Sequence, residues 1–136
     1  MKNTSLLYTV PLLLVSLLFF ACEKEGTDTP PANPSYIGEF VNGAHTTKGT
    51  ASIDQSESTL TLTNFKTDDG PDLNIYIATS LNSVTSDYID LGDIKGVKGT
   101  YTYDLPAGKD YSTYKYVIAW CVPFNVNFGH AELVKQ

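Results

Sequence analysis

From Tyr114 to Cys121 apolar side chains fill both alternating faces, with Tyr114, Tyr116, Ile118 and Trp120 on one and Val117, Ala119 and Cys121 on the other. A strand apolar on both faces is a covered, central strand. Pro123 has no N–H to give to a ladder, so this strand should end or turn before it. Phe124, Val126 and Phe128 then alternate with Asn125 and Asn127, but beyond Gly129 the apolar parity passes to Ala131 and Leu133. One extra residue moves every later side chain to the other face, so a bulge is expected at Gly129.

The same reading works backwards along the chain. Tyr36 to Val41 is a short first strand closed by the turn signal Asn42-Gly43. Thr46 to Ile53 follows with Gly49 inside it, and then Ser58 to Asn64, where Leu60 and Leu62 should face the core and the threonines water. Phe65 to Pro71 reads as a turn, and Asp72 to Thr79 as a strand carrying Leu73, Ile75 and Ile77 on one face. Asp87 to Leu91 and Gly99 to Leu105 complete the set. About eight short strands, frequent Gly and Pro turns and no helical periodicity predict an all-β fold: a single antiparallel β-sandwich or barrel. The expected core is Leu60, Leu62, Leu73, Ile75, Ile77, Val117 and Trp120.

Ahead of this domain the pattern changes. Lys2 precedes an apolar run from Leu6 through Phe20, which stops at Ala21-Cys22. A charged start, an apolar middle and a small residue before a cut describe a secretory signal, and Pro11 and the length of the run argue against a spanning helix. Leu18-Phe19-Phe20-Ala21-Cys22 resembles a bacterial lipoprotein box, with Phe19 and Phe20 bulkier than usual there. That resemblance implies signal peptide 1–21, a membrane partner reached through lipid on Cys22, and a place in the bacterial cell envelope, periplasmic or surface-exposed. Residues 22–35 are rich in Pro, Thr and charge and read as a tether, leaving 36–136 as one domain. A formal net charge of −6 argues against nucleic acid as a partner.

The cysteine count then acquires a consequence. The chain has two Cys, and if the Cys22 sulfur carries lipid, Cys121 has no disulfide partner within it. No Cys-x-x-Cys-His occurs, which excludes the usual covalent haem attachment, and the sequence names no other cofactor. An unpaired thiol outside the cytoplasm is tolerated when it is buried or used. Cys121 is therefore either a small core hydrophobe beside Val117 and Ala119 or a redox or ligand group.

Two further constellations carry chemistry. Asp68, Asp69 and Asp72, around Gly70-Pro71, could offer carboxylates to a hard cation. They lack the alternating acidic positions of an EF-hand loop, so a structural polar turn accounts better for the same letters. His45 lies in a loop and His130 just past the expected bulge, where Glu132 shares its parity and suggests a surface pair. No catalytic triad or paired-carboxylate spacing is present, so a hydrolase is not predicted.

His45 and Gly49, Leu60-Thr61-Leu62-Thr63-Asn64-Phe65, Gly70-Pro71-Asp72-Leu73, Leu91-Gly92, Gly99 through Pro106, Trp120-Cys121, Phe124, and Phe128-Gly129-His130-Ala131-Glu132-Leu133 fall in the order of the DM-thirteen domain. The resemblance spans about Tyr36 to Val134. It implies a β-rich domain whose family cysteine, here Cys121, serves electron transfer, with His45 recruited to the same site and a redox partner protein. A non-enzymatic module that binds a glycan or a protein is the alternative reading.

Overall fold

The computed structural model describes residues 29–81, 84 and 87–136. The signal segment, Cys22 and the first part of the tether lie outside the described residues. The strands are β1 Tyr36–Asn42, β2 Thr47–Ile53, β3 Thr59–Thr67, β4 Leu73–Ala78, β5 Tyr88–Asp93, β6 Lys98–Asp104, β7 Tyr116–Cys121, β8 Val126–Glu132 and β9 Val134–Lys135. All pairings are antiparallel, in the order β5-β4-β7-β8-β1-β2-β3-β6, with the two-residue β9 added on β1. The result is an all-β, nearly closed barrel or sandwich.

β1 makes the corner. Its first half, Tyr36 to Glu39, pairs with β2, and its second half, Phe40 to Asn42, pairs with β8. One strand thus belongs to both walls, and the space between them holds the core. Leu60, Leu62, Ile75, Ile77, Val117, Ala119 and Cys121 are fully buried there with Phe65 and Phe128. β7 is central between β4 and β8, as its two apolar faces require.

The bulge falls where the parity switch demands it. Ala119 is opposite Gly129, but the next residue, Trp120, is opposite Asn127, so Phe128 is the extra residue of β8. Phe128 and Ala131 consequently both point inward despite their odd spacing.

Three expectations change. Phe65 to Pro71 is not all turn, because β3 continues to Thr67 and Phe65 enters the core. A second bulge between Leu62 and Phe65, with Asn64 at φ 50°, resets the parity, which a simple alternation rule cannot anticipate. Thr63 is buried by the same shift and does not face water. Trp120 leaves the main core for the opposite face of β7, where it joins Tyr76, Ile118 and Val84. Tyr76 stacks on Tyr88 at 4.5 Å and on Trp120 at 6.0 Å between ring centroids. Burial, with Asp90 and Tyr88 nearby, pushes the Tyr76 hydroxyl up to about 12. That second apolar layer explains why β7 is apolar on both faces.

Candidate functional site

The site is built on the turn that joins β3 to β4, Asp68 to Asp72, and on the two ends that meet it. On one side β2 begins with a loop held by its own sequence: Asn42 Oδ1 accepts the Thr47 amide at 2.9 Å, and Ala44 and His45 donate to the carbonyls of Asn127 and Phe128. These bonds bring His45 over β8. Its ring stacks on Phe128 with centroids 3.8 Å apart, and its Nδ1 lies 3.2 Å from Asp68 Oδ2. Both partners of that contact are well exposed, so it contributes little to stability and acts mainly to orient the ring.

The turn itself closes on Phe128. Gly70 lies so close that a Cβ there would sit 2.8 Å from Phe128 Cζ. Phe128 is therefore held between the His45 ring and the Gly70 backbone. Asp69 Oδ1 accepts the Gly70 amide at 2.9 Å, the local bond that carboxylates make in tight turns. Asp72 takes φ 51°, and its carbonyl accepts the Val122 amide at 3.0 Å, which fastens the turn to the end of β7. Among the described residues no group of three His, Cys, Asp or Glu side chains is placed to share a metal ion.

Cys121 approaches from below. It is the last residue of β7, opposite Leu73 on β4 and Val126 on β8, and it is fully buried. Its Sγ donates to the Pro71 carbonyl at 3.2 Å. Pro71 in turn forms part of an open cleft of about 300 Å³ whose walls also include His45, Phe128 and Phe124. Phe124 is 67% exposed, the most exposed large apolar side chain among the described residues. His45 and Cys121 thus meet the same turn from opposite sides, His45 on the cleft wall and Cys121 behind Pro71. No hydrogen bond joins them directly.

His130 is placed elsewhere. Its Nδ1 lies 3.1 Å from Asn127 Nδ2 and its ring meets Tyr116 edge-on at 5.9 Å, so its neighbours are an amide and a phenol. Burial holds its pKa below the usual histidine value, against the opposing pull of the Glu132 charge. The contact roles of Phe128 and of the Pro71 carbonyl were not visible in the sequence. The one signal pointing to them was Gly129, whose parity switch carries Phe128 to the site.

A family model described as electron transfer DM13 matches residues 39–133, from within β1 to the residue before β9. The chain belongs to the DM13 family. Neither a curated protein nor a solved structure matches it. The matched span encloses His45, the Asp68–Asp72 turn, Cys121 and Phe128, so the whole cleft is part of the DM13 domain.

Proposed function

We propose that this DM13 domain passes electrons through the Cys121 thiol to a redox partner that docks at the cleft, while lipid on Cys22 holds the domain at a cell envelope. The observation that carries the reading is the position of Cys121. It is fully buried, yet its sulfur bonds to Pro71, a residue of the cleft wall. Burial protects an unpaired thiol from indiscriminate oxidation, and Pro71 is the link between the sulfur and a partner seated on the exposed Phe124.

The step is a transfer of one hydrogen equivalent. The S–H bond of Cys121 breaks: one electron goes to a one-electron acceptor protein at the cleft, the proton leaves through the cleft, and the sulfur is left as a thiyl radical. In this reading His45, with Nδ1 held by Asp68, takes up that proton on its other ring nitrogen once it has reached the cleft. Re-reduction takes the same path in reverse.

Reduction of a one-electron acceptor by the reduced domain tests this. The wild-type domain is expected to reduce it in proportion to its thiol, Cys121→Ser to lose the reaction while keeping the β-sheet circular-dichroism spectrum, and His45→Ala to slow it and change its pH profile. Equal activity in Cys121→Ser, or a thiol that reacts only after denaturation, would make Cys121 a packing residue and nothing more.

The anchor is tested separately. Cys22→Ser should abolish incorporation of labelled fatty acid and leave precursor or released protein. Unchanged labelling in that variant excludes Cys22 as the acceptor.

A further inference from the structure

Away from the cleft, three lysines stand in a row. Lys48 on β2 is directly opposite Lys66 on β3, and Lys66 is directly opposite Lys98 on β6. All three are exposed. Like charges directly opposite on neighbouring strands destabilise a sheet, and here two such pairs share their middle member. Among the described residues no carboxylate lies within salt-bridge distance of any of these lysines. The chain has only 9 Lys and Arg against 15 Asp and Glu, so aligning three cations runs against its own composition.

The backbone beneath the row is shaped as well. The pairing slips between Lys48 and Thr50 on β2 and between Leu62 and Phe65 on β3. Gly49 at φ 117°, Asn64 at φ 50° and Gly99 at φ 148° lie side by side across the three strands. Gly49 must be glycine, since a Cβ there would come within 2.8 Å of the Asn64 carbonyl oxygen and Phe65 Cα. The Phe65 side chain turns into the core. These irregularities lower the surface into an open depression of about 470 Å³ between the lysines, with Asn64 on its wall.

We infer that this depression binds a linear acidic saccharide, one whose carboxylates recur along the chain. Three features select that class. The three lysines are carried in a line across the strands, their backbone positions stepping by about 5 Å, the spacing of neighbouring strands, which suits a polymer with a charge on each unit better than one compact anion. Lysine supplies point charges without the flat fork that favours bidentate capture of a single phosphate or carboxylate. The exposed large apolar side chains, Val41, Tyr88, Phe124 and Val134, all lie outside the depression, and Phe65, which lines it, turns its ring into the core, so no exposed aromatic is offered there to a protein partner. The overall charge of −6 opposes general attraction of polyanions, so binding is confined to this row.

The test is an NMR titration of the folded domain with an oligogalacturonate, its methyl ester and polyglutamate as probes. The acidic saccharide is expected to shift the amides of Lys48, Lys66 and Lys98, with affinity that falls as salt rises. Each Lys→Gln change should weaken it by roughly fivefold, and the triple variant should abolish it. Lys66→Gln should also raise the melting temperature of the free domain, because the residue that repels both neighbours is gone. No binding at low salt, undiminished binding in the triple variant, shifts located elsewhere, or a lower melting temperature in Lys66→Gln would each overturn the proposal. Equal binding of the methyl ester or of polyglutamate would overturn the assignment to an acidic saccharide. None of these readouts involves Cys121, so this proposal and the electron-transfer reading stand or fall separately.

Discussion

Ile75→Ala is expected to lower the stability of the domain by about 2–5 kcal/mol, a large part of what a single small domain possesses. Ile75 is fully buried in the middle of β4, opposite Ala119 on β7. Its side chain fills the space between the two walls, and little there can collapse into the gap: the neighbours on both flanks belong to paired strands. Leu62, fully buried on the facing wall, should behave alike for the same reason. Urea unfolding followed by circular dichroism measures both variants. A loss below about 1 kcal/mol in each would mean that the inward assignment of β3 and β4 is wrong.

Gly129→Ala is expected to cost at least the roughly 1–3 kcal/mol typical of overpacking, and to do so through one partner. A Cβ on Gly129 would overlap Thr47 Cβ and Oγ1 and lie 2.8 Å from Thr47 Cγ2. Thr47 has no room to withdraw. It is buried, and its Oγ1 donates to the Phe128 carbonyl at 3.1 Å and lies 3.1 Å from Thr67 Oγ1. The extra methyl must therefore push β8 away from the start of β2, and the loop carrying His45 moves with it. Because the clash is with one residue, Thr47→Gly should recover part of the loss. The double variant should be more stable than the sum of the two single effects, as residues in contact usually show. Strict additivity would place the cost of Gly129→Ala in some contact other than Thr47. Thiol-reagent labelling of Cys121 in Gly129→Ala reads out the same displacement at the cleft.

How much of this was legible beforehand varies by residue. β7 could be read as central because both faces of Tyr116–Cys121 are apolar, and burial on two sides needs apolar residues on two sides. The bulge of β8 could be read because a change of parity leaves a trace in the letters. The bulge of β3 was missed, although it has the same physical nature. Threonine at positions 61 and 63 serves on either face of a sheet, so the shift from Leu62 to Phe65 left no clear contrast between apolar and polar positions. Trp120 was misplaced because the sequence shows that a face is apolar without showing which of two apolar layers it joins.

The candidate site follows the same division. The sequence by itself named the candidates: an unpaired Cys121, a loop His45, a Gly-Pro turn flanked by aspartates, and the DM-thirteen resemblance that linked them. It also determined the all-β fold, since two-residue periodicity and turn chemistry are local properties written along the chain. Only the tertiary structure decided that His45 lies on Phe128 and points its Nδ1 at Asp68, that Cys121 bonds to Pro71 behind the cleft, and that Lys48, Lys66 and Lys98 form a row. Each of these depends on register between strands far apart in sequence. A shift of one residue in one bulge would turn the side chain away, and the sum of such shifts is fixed by packing across the whole barrel rather than by any one stretch of residues.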